Sequence, residues 1–138
     1  MKATISLITL NCLIFFAVYC GICGTNATLG LNMFFIDGLF VWQPVTSMFM
    51  HANLAHLLMN MAVLYQFGSL LERYYGSEKF AVIYCIGGVL TSLLSFVYIY
   101  VMFKSNGTFI NLVGASGAIS LLLGVLAFLD ASSRKGLI

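Results

Sequence analysis

The chain has 138 residues, of which 62% are hydrophobic and only 7% charged. A soluble domain carries charge on about a quarter of its residues, so six Lys and Arg with four Asp and Glu cannot cover a water-soluble globule. This excludes a soluble monomer and a disordered chain, and a net charge of +2 gives no footing for a nucleic-acid partner. What remains is an integral membrane protein, with residues 1–138 read as a single membrane domain.

Four stretches carry no charge: residues 3–36, 38–71, 80–103 and 105–129. A membrane helix needs about 20 largely apolar residues. The first two stretches exceed that by a dozen, so each holds a helix and an uncharged loop. The expected spans are about 4–22, 54–71, 80–102 and one ending near 129. If they alternate, Lys2, Arg73, Lys79, Arg134 and Lys135 fall on one side and Lys104 on the other. The positive-inside bias then makes both termini cytoplasmic, with the first helix retained as an anchor rather than cleaved as a signal.

Cys20 and Cys23 close the first span as C-x-x-C, but no second Cys or His pair accompanies them, so all four cysteines read as buried apolar thiols. Asn26-Ala-Thr28 and Asn106-Gly-Thr108 fit the glycosylation acceptor pattern. Residues 24–52 are too many for a tight turn and too apolar to stand in water. Met33, Phe34, Phe35, Leu39, Phe40, Val41, Trp42 and Met48 are interrupted by Gly24, Gly30, Gly38 and Pro44. Such a loop lies in the membrane interface, with Trp42 near headgroup depth, either as a connector or as an element shaping access to a site.

The second span puts polar groups where lipid is expected. Asn53 is a suitable N-cap. His56 and Asn60 are four apart and share one helix face, and His51 sits just before the helix. Intramembrane polar residues face a bundle interior or a water cavity, so the choice is between interhelical hydrogen bonding and a polar site near the outer surface. The fourth span contains Gly114-Ala-Ser116-Gly117. From Ser116 to Asp130 is roughly 22 Å of helix, short of the about 30 Å hydrocarbon core. A helix anchored by Asp130 in the cytoplasm therefore starts below the outer surface, at the level of His56 and Asn60. Its free N–H groups favour an anion there, including the oxyanion of acyl transfer. Ser116, Ser120 and Gly124 recur every four residues, so a small-residue packing stripe is the competing reading of Ser116.

Trp42, His51-x4-His56-x3-Asn60, then Gly68, Glu72 and Gly76, then Gly114-Ala-Ser116-Gly117 together resemble the rhomboid intramembrane serine proteases over residues 42–124. The resemblance implies an all-α rhomboid-like bundle with four of an expected six helices and an interfacial loop between helices one and two. It implies Ser116 as nucleophile, His56 and Asn60 as oxyanion donors with the Ser116 N–H, and His51, Gly114 and Gly117 beside the site. The implied reaction is cleavage of single-span membrane proteins near the outer face, from a bacterial inner (plasma) membrane, with the lipid bilayer as surroundings. No cofactor or metal is expected. The sequence departs from the family at Gln43, where an Arg usually follows the loop Trp, and at its C-terminal end. The family's general base is a histidine on the sixth helix, and this chain stops at Ile138 with two histidines only. It therefore reads as the N-terminal two-thirds of a rhomboid, from a truncated gene, a partial sequence or a degraded copy, and as inert by itself. The alternatives are a non-catalytic relative that binds membrane helices and, from another class, a small transporter-like bundle, which would show inverted halves.

Overall fold

The computed structural model describes residues 1–136. Four helices are long and apolar enough to cross a membrane: α1 (Lys2–Tyr19), α5 (Leu54–Tyr75), α6 (Ser77–Asn106) and α7 (Ser116–Arg134). Three one-turn helices lie between α1 and α5: α2 (Asn26–Leu29), α3 (Phe34–Asp37) and α4 (Gln43–Thr46). The charge-free stretches thus hold the four expected spans. The protein is an integral membrane protein built as an all-helical bundle.

The outer surface is apolar. Leu13, Phe16, Leu58, Met59, Leu94 and Phe128 are all exposed, which only a bilayer tolerates. The core between the long helices is built from Leu57, Leu64, Leu71, Phe80, Tyr84 and Leu122. The cysteines are not part of it. Cys20, Cys23 and Cys85 are exposed thiols and Cys12 is half-buried, so the expectation of buried thiols is corrected: they face outward from an apolar surface.

Two features set the helix ends. Glu72, buried near the end of α5, caps the start of α1. Its carboxylate accepts from the backbone N–H of Ala3 and of Thr4, both at 2.9 Å, and from Thr4 Oγ1 at 2.6 Å. It also accepts from Ser77 Oγ at 2.5 Å and pairs with the Met1 ammonium at 3.2 Å. A carboxylate suits a helix N-terminus, where free amides and the positive dipole end lie. Lys2, Arg73 and Lys79 consequently share one end of the bundle, and Lys104 stands at the other. Second, α6 is 30 residues long and α7 only 19, about 45 and 28 Å. The shorter helix begins well inside the length of its neighbour.

The segment between α1 and α5 is an ordered strap. Trp42 Nε1 donates to the Thr28 carbonyl at 3.0 Å. Gln43, which is fully buried, accepts from the Asn32 N–H at 3.2 Å and donates to Asn32 Oδ1 at 3.3 Å. A neutral amide here does the bridging expected of an Arg, without bringing a charge into the interior. Asn111 ties the strap to the far side of the bundle: it donates to the Asn26 carbonyl at 2.9 Å and accepts from Asn32 Nδ2 at 2.8 Å. Leu31 and Leu112 exchange backbone hydrogen bonds of 2.9 and 2.8 Å. Phe34, Leu39, Val41 and Trp42 remain exposed on the outer face of the strap, where interfacial lipid accommodates them.

Candidate active site

The site forms where the start of α5 meets the segment leading into α7. Asn53 is the N-cap of α5, its side chain accepting from the His56 N–H at 2.8 Å, so the helix begins where the polar face requires. His56 is half-buried and Asn60 buried, one turn deeper on the same face. Gly114 lies directly against both. A Cβ at Gly114 would stand 2.8 Å from His56 Cε1, 2.9 Å from His56 Nε2 and 3.6 Å from Asn60 Nδ2. Its φ of +123° also demands glycine. The Gly114 N–H is held by the Ser47 carbonyl at 2.9 Å. The chain therefore passes the two polar side chains at contact distance and two residues later starts α7 at Ser116.

Three details define the chemistry available. The Ala52 N–H donates to His56 Nδ1 at 3.4 Å, which makes Nδ1 the acceptor nitrogen and assigns the ring proton to Nε2. His56 Nε2–H is then a donor beside Gly114. Asn60 Nδ2 is buried with no hydrogen-bond partner, an unmade bond that folding alone would eliminate. Finally, α7 has no capping side chain, since its N-cap residue is Ala115, so its first amides are free to take an anion.

Ser116 itself is exposed. It borders a cavity of about 140 Å³ together with Ser47, Thr91, Ser92, Ser95 and Gly114. His56 and Asn60 do not line this cavity; Gly114 does, and it touches both. The three side chains therefore share no single cavity; Gly114 alone both borders this one and touches His56 and Asn60. The cavity is polar, uncharged and large enough for several waters, and Ser47 Oγ is buried there without a partner. Thr91, Ser92 and Ser95 were not among the expected site residues. Their signal is a T-S-x-x-S run in an otherwise apolar span.

The packing reading of Ser116 is corrected. The close approach of α7 to α6 runs through Gly117 against Thr91, Ala118 against Gly88 and Leu121 against Gly87. Ser116, Ser120 and Gly124 are all exposed, and nothing lies within 4 Å of a Cβ built on Gly124. The stripe makes no close contact with a helix among the described residues; Ser116 and Ser120 border the cavity against α6 instead. Gly117 is a packing residue that lets α7 approach Thr91.

His51 is buried, with its ring 5.2 Å from that of His56 in an edge-on arrangement. Burial foremost, and then the neighbouring His56, pull its imidazole down to about 4, so it is neutral at physiological pH. Neither ring nitrogen makes a well-formed hydrogen bond, although the Phe49 backbone approaches one of them. His51 packs edge-on against the His56 ring. Among the described residues no three His, Cys, Asp or Glu side chains come together as metal ligands.

Several known proteins are similar to this chain in sequence. Rhomboid protease GluP of Bacillus subtilis is 37% identical over 94 residues, 68% of this chain and 17% of that protein. RHOMBOID-like protein 6, mitochondrial, of Arabidopsis thaliana is 36% identical over 91 residues, 66% of this chain and 27% of its own length. Inactive RHOMBOID-like protein 8 of the same plant is 31% identical over 77 residues, 54% of this chain and 22% of that one. The chain spans less than a third of the length of each of these relatives, and they include both proteases and a protein named as inactive. The family model for the rhomboid domain matches residues 39–138, which take in the last part of the strap from Leu39, the His56–Asn60 face and the start of α7, and the chain belongs to the rhomboid family.

Proposed function

We propose that the chain carries the nucleophile and the oxyanion-binding half of an intramembrane serine endopeptidase site. In this reading Ser116 Oγ attacks the scissile carbonyl of a membrane-spanning substrate. The oxygen that gains charge is received by His56 Nε2–H, by Asn60 Nδ2–H and by the Ser116 backbone N–H. The observation that carries it is the pair of donors flanking Gly114, one fixed as a donor by its tautomer and the other buried without a partner. A histidine whose Nε2 carries the proton suits an oxyanion and does not suit the role of base. The Ser116 proton therefore goes to a different group, which the resemblance assigns to a sixth-helix histidine. The hydroxyl-lined cavity beside Ser116 supplies water for deacylation. Single-span membrane proteins, entering from the bilayer near the outer face, are the substrates this geometry suits. In this reading both termini are cytoplasmic, which the Lys and Arg bias supports, and the membrane is a bacterial inner membrane.

The test is kinetic, in the full-length protein in lipid. Asn60→Ala with His56→Ala is expected to lower kcat by about 10²–10³ with little change in KM, and Ser116→Ala to abolish cleavage. An unchanged kcat in the double variant removes both side chains from the mechanism. A second reading, a relative that holds membrane helices without cutting them, is favoured by the exposure of Ser116 and the absence of any hydrogen bond from it to a histidine among the described residues. It predicts that Ser116 is not labelled by fluorophosphonates and that Ser116→Ala retains helix binding.

A further inference from the structure

A second cavity lies away from Ser116. It has a volume of about 520 Å³ and sits between the last turns of α1 and the approach to α5, walled by Phe15, Val18, Tyr19, Met50 and Leu54. Its walls are apolar, and Phe16, Tyr19 and Leu54 at its margin are exposed to the bilayer. Three polar side chains interrupt them. Asn53 is engaged as the cap of α5. His51, 3% exposed, lines the cavity with no well-formed hydrogen bond at either ring nitrogen, the Phe49 backbone approaching one of them, and Asn26 lines it with its Oδ1 buried and unpartnered. A buried group left without a hydrogen bond is costly, and two around one cavity point to something that completes them.

The chemistry of that partner follows from the lining. No Lys, Arg, Asp or Glu borders the cavity, so neither an anionic nor a cationic head finds a counter-charge, and burying an unpaired charge there is prohibitive. Burial keeps the His51 imidazole neutral, with one N–H donor and one lone pair. Asn26 Oδ1 offers a second acceptor. A hydroxyl both donates and accepts, and a pair of adjacent hydroxyls completes both residues at once. The remaining space is apolar, opens to lipid and falls in the range of about 300–1,000 Å³ that holds one small ligand. That suits one acyl chain and a small head, not a two-chain lipid.

We propose that the cleft between α1 and the start of α5 is a binding site for a neutral, hydroxyl-headed, single-chain lipid of the monoacylglycerol class, held by His51 and Asn26. The site is distinct from the one around Gly114 and does not depend on peptidase activity.

The experiment is photolabelling of the full-length protein in phosphatidylcholine nanodiscs with a diazirine-bearing monoacylglycerol, with peptide mapping by mass spectrometry. Saturable labelling of residues 15–19 and 50–54, competed by unlabelled monoolein, is expected. Val18→Trp, which fills the cavity, is expected to reduce it at least about tenfold. Asn26→Ala, or capping both head hydroxyls of the probe as methyl ethers, is expected to weaken apparent affinity about fivefold or more, the scale of one unmade buried hydrogen bond. His51→Phe keeps a ring in place and is expected to act like Asn26→Ala. Three results overturn the proposal: no saturable labelling at these residues, equal affinity of the methyl-ether probe, or stronger competition by oleate than by monoolein. The first means that the cleft binds no such lipid. The second makes it a non-selective greasy surface, and the third assigns it to an anion.

Discussion

Gly114→Ala tests the contact on which the site rests. The added Cβ would lie 2.8 and 2.9 Å from two atoms of the His56 ring, inside van der Waals contact, and φ at +123° is strained for alanine. Left-handed backbone costs a residue with a Cβ about 1–2 kcal/mol, and inserting a methyl group into a packed site about 1–3 kcal/mol. The sum is a destabilisation of about 2–5 kcal/mol if the structure holds. If His56 instead swings aside, part of that strain is relieved and the donor beside Gly114 is lost, which costs about 10²–10³ in rate. Gly124→Ala is the internal control: nothing lies within 4 Å of its Cβ, and alanine is favoured over glycine inside a helix by about 1 kcal/mol. Thermal unfolding in detergent and turnover in proteoliposomes are measured for both variants of the full-length protein. The expected pattern is Gly114→Ala impaired in stability, turnover or both, with Gly124→Ala at least as stable as the parent. Gly114→Ala with parental stability and parental turnover would refute the claimed contact between this segment and His56.

Three further outcomes are expected. Glu72→Gln loses the ion pair with Met1 and turns an amide NH₂ toward the N–H donors of Ala3 and Thr4. It is expected to cost about 3 kcal/mol and to speed hydrogen exchange at the start of α1; exchange there at the parental rate would show that the carboxylate does not hold the helix. Single cysteines at Lys2 and Lys104, in a background without the four native cysteines, are expected to react with an impermeant reagent from opposite sides of the membrane, and reaction from the same side would defeat the alternating topology. His51 has a folded pKa of about 4, below its ordinary 6.5, so the unfolded chain binds the proton more readily. Its contribution is therefore constant above about pH 6.5 and turns against folding as pH falls toward 4. A stability loss in that window is expected for the parent and not for His51→Phe, and identical pH profiles would rule out His51 as its source.

Much of this molecule is readable from local sequence because the bilayer imposes a local rule. Each charged residue in hydrocarbon is costly, so the four charge-free stretches had to contain the spans. Asn53 caps α5 through a hydrogen bond to the residue three positions on, and His56 and Asn60 share a face because of helical pitch. The start of α7 at Ser116 follows from the glycines before it and the short run to Asp130. The rest required contacts between residues far apart in the chain. Glu72 reaches back to Thr4, Asn111 to Asn26, and Gly114 to His56, and no periodicity encodes such pairs. The small residues of α7 show the limit most clearly: Ser116-x3-Ser120-x3-Gly124 looks like a packing stripe, yet Gly117 and Ala118 make the close contacts, while Ser116 and Ser120 border a cavity against α6. In a helix apolar all round, hydropathy does not distinguish the face that meets lipid from the face that meets protein. That choice falls to steric fit against α6, where Gly87 and Gly88 leave the room that Leu121 and Ala118 fill.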